Sequence, residues 1–196
     1  MKLRLNLFSA VLFVVSGLPL HSQTGPAAIQ GGLPIVVGSG FSNFNTGYFS
    51  GNRMNGITVW VDYYPNFLPR VLRGLGIEAE GRDINFSRPS SLSRMREDTG
   101  QFGFIYPWYH YRKIHPYGKF LAGMGSIDFP PHGTYSHDKF SLYTPGGGAE
   151  FKAFGGIWLR ADYQYQIWYK TFLPNGLHPN GITIGASYDF RPNRDE

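Results

Sequence analysis

One stretch, Ile157–Tyr169, decides the fold, and it reads IWLRADYQYQIWY. Its odd-numbered side chains are apolar or aromatic: Ile157, Leu159, Ala161, Tyr163, Tyr165, Ile167 and Tyr169. Its even-numbered side chains are mostly polar: Trp158, Arg160, Asp162, Gln164, Gln166 and Trp168. Because successive side chains of a strand point to opposite faces, the stretch predicts a β-strand with one apolar wall and one polar wall. It is long enough for a membrane-spanning strand of about 9–11 residues.

The same alternation recurs along the chain. It is clear in Ile57–Tyr64, Leu75–Arg82 and Ile182–Phe190. Four further aromatic and glycine-rich segments show it more weakly: Pro34–Phe44, Gly100–Tyr111, Pro116–Asp128 and Lys139–Phe154. Together with Ile157–Tyr169 these segments predict about eight antiparallel strands.

The connections between the predicted strands alternate in length. Four are long: Asn45–Asn55, Ser87–Thr99, Phe129–Asp138 and Lys170–Asn180. Three are mostly shorter: Pro65–Arg73, Arg112–His115 and Gly155–Gly156. Membrane barrels have long extracellular loops and short periplasmic turns, so the pattern predicts an all-β fold, a closed up-and-down transmembrane barrel.

Composition agrees with strands and turns. Of the 196 residues 17% are aromatic, and 26 Gly and 14 Pro interrupt long helices. Because there is no Cys, disulfides, a thiolate nucleophile, a cysteine-ligated metal and a lipoprotein anchor are excluded. The net charge of +5 comes from scattered basic residues, which indicates that nucleic acid is not a partner.

The first residues resemble a secretory leader. Lys2 and Arg4 precede an apolar run from Leu5 to Leu20, after which the sequence turns polar. This order predicts a signal peptide over residues 1–22 and a single outer-membrane barrel domain over 23–196. The alternative, a permanent anchor, would need a longer apolar core of about 20 residues.

Charged residues of both signs lie on the polar faces of three predicted strands: Asp62, Glu78, Glu80, Arg82, Arg160 and Asp162. Charges that neutralise one another suit a narrow lumen, where an unpaired charge is costly. Aromatic residues near the predicted strand ends suit the membrane interface: Trp108, Tyr109, Tyr111, Trp168, Tyr169 and Tyr188. We therefore predict that the apolar faces meet lipid and that the six charges form a structural ion-pair network inside the barrel.

The last predicted strand resembles a known sequence signal. Thr183, Gly185, Tyr188 and Phe190 are similar to the C-terminal assembly signal of outer-membrane barrels, which ends in Phe. Gly74–Arg82, Gly146–Glu150 and Arg160–Trp168 resemble strands of the small OmpA-like transmembrane type. The resemblance implies a monomer in the outer membrane, inserted by the barrel assembly machinery and surrounded by outer-membrane lipid. Two features depart from that family: Arg191–Glu196 follows the terminal Phe, and no peptidoglycan-binding domain is expected.

The remaining polar groups give no catalytic, cofactor or metal signature. His132 and His137 lie near Asp128 and Asp138, but we interpret this segment as a solvated loop. Ser187 and His178 would be needed together in a lipid-modifying enzyme, and their spacing does not place them side by side. The triplet at 146–148 lacks the residues of a phosphate loop.

Eight strands leave an interior only wide enough for side chains, so a broad porin channel is not expected. The sequence favours a non-enzymatic outer-membrane protein with a structural or surface-interaction role, whose long loops contact an unidentified extracellular partner. Three alternatives stay open: a lipid-modifying enzyme, a narrow pore or small-ligand carrier, and a soluble periplasmic ligand-binding barrel.

Overall fold

The computed structural model describes residues 33–47, 53–65, 67–69, 72, 74–86, 95–109, 113–129, 136–169 and 176–191. Within these ranges the chain forms nine β-strands: β1 (Ile35–Asn45), β2 (Arg53–Tyr63), β3 (Gly76–Phe86), β4 (Arg96–Pro107), β5 (Ile114–Phe129), β6 (Ser136–Phe154), β7 (Ile157–Tyr165), β8 (Ile167–Trp168) and β9 (Asn180–Asp189). The two-residue β8 continues β7 after Gln166, so the two count as one barrel strand. Over the same ranges, no helix is long and apolar enough to cross a membrane.

The strands close into a ring. Each one pairs antiparallel with its neighbours, and β1 pairs with both β2 and β9. Val37, for example, lies opposite Val61 on one side and Tyr188 on the other. The backbone N–H of Phe190 donates to the carbonyl of Ile35 at 3.0 Å, which extends the closing ladder beyond β9. The predicted closed eight-stranded barrel is confirmed, and closure leaves no strand edge in hydrocarbon.

The two faces of the strands meet different surroundings. On β7, Leu159 and Tyr163 are about half exposed, whereas Trp158 and Arg160 are buried in the interior. The same outward belt includes many large apolar side chains: Phe41, Ile57, Val59, Phe102, Phe104, Phe120, Met124 and Ile184. A continuous apolar outer wall of this kind suits a bilayer rather than water, as predicted from the polar faces.

Several strands are longer than the sequence pattern indicated. β2 begins at Arg53 rather than Ile57, β3 continues past Arg82 to Phe86, and β4 begins at Arg96 rather than Gly100. In these extensions the outward side chains are polar except for Phe86, so the apolar alternation stops while the backbone ladder continues. The pattern therefore marked the apolar belt of each strand rather than its full length.

We call the end of the barrel that bears residues 46–52, 87–95, 130–135 and 169–179 the loop rim, and the end that bears 64–75, 108–113 and 155–156 the turn rim. The predicted alternation of long and short links is wrong for 64–75, which is longer than each of the four loop-rim connections. The predicted loop Phe129–Asp138 is also too long, because β5 and β6 stay paired up to Phe129 and Ser136.

Interior aromatic side chains lie against glycines of other strands, and Trp168 reaches across β6 to a glycine of β5. A Cβ added at Gly125 would lie 2.2 Å from Cη2 of Trp168, which is 1% exposed. The prediction that Trp168 belongs to an interfacial girdle is wrong, because it lies on the same inward face as Arg160. Trp108, Tyr109, Tyr169 and Tyr188 are exposed at the rims, and Tyr111 lies outside the described residues.

Candidate functional site: the interior of the barrel

The interior brings the predicted charged residues together. All six point inward and each is at most 5% exposed: Asp62 on β2, Glu78, Glu80 and Arg82 on β3, and Arg160 and Asp162 on β7. Strand pairing alone does not put β3 next to β7, so these side chains meet across the lumen. Arg160 contacts Glu78 and Asp62 directly, and a seventh charged residue, Lys119 on β5, joins Asp162 to Glu78 and Glu80. Lys119 was not among the six predicted residues.

Lys119 lies at the centre of this network. Its Nζ is 2.8 Å from Glu78 Oε1, 2.8 Å from Glu80 Oε2 and 3.0 Å from Asp162 Oδ2. In a strand, Lys119 lies on the same face as Tyr117 and Leu121, and this alternation would have placed Lys119 on the inward face. That signal was obscured by the glycines of its segment, which weaken the contrast between the two faces.

Arg160 connects Glu78, which also contacts Lys119, to Asp62 on β2. Its Nη2 lies 2.5 Å from Glu78 Oε2, and its Nη1 lies 3.2 Å from Asp62 Oδ2. Its Nε donates to the Tyr117 hydroxyl at 2.8 Å. The guanidinium carbon also lies 4.7 Å from the ring centroids of both Trp60 and Tyr117, within the range of cation–π attraction.

Arg82 extends the network toward the loop rim. Its Nη2 donates to Glu80 Oε1 at 2.6 Å and to Gln164 Oε1 at 2.7 Å, and its Nε donates to Thr58 Oγ1 at 2.9 Å. Its guanidinium carbon lies 4.0 Å from the centroid of the Phe44 ring. Arg82 thus joins the ion pairs to the first apolar side chains above them.

These charges act as one unit. Each of the three cations contacts at least one carboxylate, and the contacts tie β2, β3, β5 and β7 across the lumen. In a low-dielectric interior an ion stripped of its partner costs several kcal/mol, so the network is stable only when complete. Carboxylates engaged in this way neutralise cations and fill space, and Glu78 and Glu80 are not free for acid–base chemistry.

Apolar residues fill the lumen at the loop rim. This loop-end cluster consists of side chains that are at most 1% exposed: Phe44, Met54, Ile84, Met95, Ile127, Leu142, Trp168 and Leu177. One carboxyl group is embedded beside it, that of Glu97 on β4, which lies opposite Ile84 and Ile127 in register. Among the described residues neither Glu97 oxygen has a hydrogen-bond partner.

A second apolar group, the turn-end cluster, fills the lumen at the turn rim and consists of Val36, Tyr64, Ile105 and Tyr117. Arg191 covers it: its guanidinium carbon lies 3.9 Å from the Tyr64 ring centroid, and its Nη2 pairs with Asp189 Oδ2 at 2.8 Å. Burial, and then the nearby Asp62 carboxylate, raise the pKa of the Tyr64 phenol well above its ordinary value, so this ring is neutral. The described lumen is therefore filled at both ends and at its centre.

The four residues of the predicted assembly signal occupy both faces of β9. Thr183 points inward, and its hydroxyl lies 2.7 Å from that of Ser42. Gly185 is in close backbone contact with β1, since an added Cβ would lie 2.2 Å from the Ser39 carbonyl oxygen. Tyr188 and Phe190 are about half exposed on the outer wall, with ring centroids 4.7 Å apart.

The two polar residues considered for a lipid-modifying enzyme lie apart, whereas His137 lies opposite Asp128 in register on β6 and β5. Ser187 is buried at the turn rim, whereas His178 stacks on Tyr165 at the loop rim, with ring centroids 5.7 Å apart. His137 and Asp138 belong to β6, and His132 lies outside the described residues. No group of three or more His, Asp or Glu able to hold a metal occurs among the residues that the structure describes.

Comparison with known proteins gives a family and a fold. The sequence matches the model of a family described as outer membrane protein beta-barrel domain over residues 10–190. A comparison with curated proteins finds no match.

Three solved structures illustrate the structural likeness. Neisserial surface protein A has 12% identity and a TM-score of 0.59, with 80% of this chain and 96% of that chain covered. The attachment invasion locus protein Ail of Yersinia pestis has 18% identity and a TM-score of 0.50, covering 82% and 99%. The N-terminal β-barrel domain of Pseudomonas aeruginosa OprF has 12% identity and a TM-score of 0.52, covering 80% and 99%. At these identities the likeness concerns the fold alone.

Proposed function

The chain belongs to the outer membrane protein beta-barrel domain family, a family of the bacterial outer membrane, and from this premise we propose a non-enzymatic barrel with a structural or surface-interaction role. The observation that carries the proposal is the filled lumen. Lys119 and its carboxylate partners close the centre, and an apolar cluster closes each end. A protein whose interior is filled acts through its outer wall and its rims.

The filled interior argues against a pore or small-ligand carrier. A hydrated ion or polar solute entering from the loop rim would have to displace Phe44, Trp168 and their neighbours, which are fully buried. It would then meet cations that already hold their carboxylates at 2.5–3.2 Å. Both steps carry a large desolvation cost.

The placement of polar groups argues against a lipid-modifying enzyme. Ser187 and His178 lie at opposite ends of β9, and nine residues of extended strand span about 30 Å. A nucleophile and its base must come within hydrogen-bond reach. These two residues cannot form such a pair in this barrel.

We propose three partners for the protein in the cell, a monomeric state and one processing step. Outer-membrane lipid contacts the apolar outer wall, and the barrel assembly machinery reads Thr183, Gly185, Tyr188 and Phe190. An unidentified extracellular partner contacts the connections of the loop rim.

The protein is a monomer whose residues 1–22, which lie outside the described ranges, are removed as a signal peptide. Intact-mass measurement of the protein purified from outer membranes tests the last step: we expect a chain that starts near Gln23, and retention of Met1 would contradict it.

A complementation experiment tests the proposed role and separates its two forms. The gene is deleted, and sensitivity to detergent and to large hydrophilic antibiotics is measured together with adhesion of the cells to surfaces. The strain then receives the wild-type chain or a variant in which residues 87–94, 130–135 and 170–175 are replaced by Gly-Ser stretches of the same length.

If the barrel has a structural role, the loop-replaced variant restores the resistance of the envelope. If it has a surface role, the variant assembles but does not restore adhesion. A deletion strain that loses a defined lipid modification, with neither resistance nor adhesion affected, would refute the proposal.

A further inference from the structure

The connection between β2 and β3 has an unusual surface for a turn-rim segment. Phe67 is 80% exposed and Leu72 is 44% exposed. The segment is folded rather than extended, because the Leu72 N–H donates to the Pro69 carbonyl at 2.9 Å and the Leu75 N–H donates to the Leu72 carbonyl at 3.0 Å. Phe67 and Leu72 are therefore exposed on a connection that contains at least these two backbone hydrogen bonds.

Both ends of the connection are fixed at the barrel wall. At its start, the Tyr64 ring belongs to the turn-end cluster inside the lumen. At its end, Gly74 has a φ of 98°, and an added Cβ would lie 3.2 Å from Cε2 of Tyr109. Both described ends of the connection thus lie at the rim, and Gly74 lies against Tyr109 of the next connection.

The neighbouring outer wall at this level is aromatic. Tyr63 is 39% exposed and Trp108 is 52% exposed, and the Trp108 ring lies over Gly118 on the outer surface of β5. Aromatic residues in this position form the girdle at the boundary between hydrocarbon and headgroups. The connection that carries Phe67 and Leu72 therefore begins directly after Tyr63, a side chain at this boundary.

All charged residues in the sequence of this connection are basic. Between Tyr63 and Gly76 the sequence contains Arg70 and Arg73 and no acidic residue. Apolar side chains interspersed with basic ones are characteristic of segments that lie in a membrane interface and are attracted to anionic headgroups. A surface exposed only to water would gain nothing from Phe67 and Leu72.

We propose that the β2–β3 connection is an interfacial anchor that inserts Phe67 and Leu72 into the periplasmic leaflet and prefers anionic phospholipid. It holds the turn rim at a fixed depth, on one side of the barrel, beneath the aromatic girdle. The proposed lipid contact is separate from the filled lumen, since Phe67 and Leu72 belong neither to the ion-pair network nor to the apolar clusters at its two ends.

The test uses the absence of cysteine in the chain. Single variants Phe67→Cys and Leu72→Cys are labelled with an environment-sensitive fluorophore and folded into vesicles of phosphatidylcholine alone or mixed with phosphatidylglycerol. Lipids carrying a quencher at a shallow position, about 5–10 Å below the headgroups, report insertion. Ile184→Cys, on the lipid-facing wall, is the positive control, and Ser90→Cys, between β3 and β4, is the aqueous control.

We expect both labels to be blue-shifted and quenched to an extent approaching the Ile184→Cys label, with stronger quenching when phosphatidylglycerol is present and loss of that increment in high salt. Labels that remain water-accessible and unquenched in both vesicle types, as expected of a surface that binds a periplasmic protein, would overturn the proposal. Equal quenching with and without phosphatidylglycerol would overturn the preference for anionic lipid.

Discussion

Two buried glutamates of the same lumen have opposite surroundings. Glu80 lies at the centre and contacts Lys119 at 2.8 Å and Arg82 at 2.6 Å. Glu97 lies beside the loop-end cluster, and among the described residues neither of its oxygens accepts a hydrogen bond. Both carboxyl groups are almost completely buried. The comparison shows that burial alone does not determine what a charged residue contributes, because the contribution depends on its partners.

The difference divides the interior into two kinds of region. At the centre, stability depends on complementary charges, and loss of one charge leaves its partners buried and unpaired. At the loop end, stability depends on apolar packing, and a carboxyl group is an unfavourable component. Substitutions in the two regions should therefore change stability in opposite directions.

The largest loss of stability is expected from Lys119→Ala, because it leaves Glu78, Glu80 and Asp162 close together without their common cation. Breaking a buried ion pair costs about 3–5 kcal/mol, and this change breaks three such contacts. Urea unfolding in lipid vesicles measures the change in the free energy of unfolding. The matched control Lys139→Ala removes an exposed lysine and should leave it unchanged.

A slightly smaller loss is expected from Glu80→Ala or Arg160→Ala, at about 3–5 kcal/mol each. Each change removes one member of the network but leaves some of the remaining ion pairs intact. The same unfolding experiment compares them with Asn52→Ala in a loop-rim connection. Equal midpoints for the three variants would show that the network does not stabilise the barrel.

The substitution Phe190→Ala distinguishes a role of this residue in assembly from a role in packing. We expect it to reduce strongly the folded fraction in outer membranes, because the end of β9 pairs with β1 and carries the proposed assembly signal. Phe151→Ala is the matched control, since Phe151 has nearly the same exposure at the same rim. Heat-modifiability gels of membrane fractions measure the folded fraction. Similar folded fractions for both variants would leave Phe190 with a packing role only.

The smallest effect, of opposite sign, is expected from Glu97→Met. Removing a buried carboxyl group that has no hydrogen-bond partner among the described residues should raise the free energy of unfolding by about 1 kcal/mol, the lower end of the cost of such burial. Glu80→Met serves as the control and should lower it. If both substitutions destabilise the barrel to the same degree, the division of the lumen into two regions is wrong.

The fold was predictable because the barrel imposes a two-residue period on nearly every strand. The alternation of Leu159, Arg160, Ala161 and Asp162 identifies both walls, and the charges on the inward wall predict six members of the network. Lys119 was missed because its strand is rich in glycine, so its polar face is not evident from the sequence. The pairing of charges across the lumen depends on how the strands are staggered. The sequence of a single strand does not determine that stagger.

Two other features of the molecule depended on its three-dimensional arrangement. The alternation of Ile157–Tyr169 already places Trp168 on the polar wall, and the structure adds that it packs against Gly125 rather than at the interface that its position near a strand end suggested. The true ends of β2, β3 and β4 lie beyond the apolar belt, where the outward residues other than Phe86 are polar and the periodic signal ends. Backbone pairing persists there without an apolar pattern to reveal it.

The central claim, that the lumen is closed by the ion-pair network and by apolar residues at both ends, is tested most directly by conductance in planar bilayers. The wild-type protein, purified from outer membranes and shown to be folded by heat modifiability, is inserted at low protein concentration and recorded over a range of voltages. We expect no steady conductance. A large, steady single-channel conductance in the wild-type protein would contradict the claim.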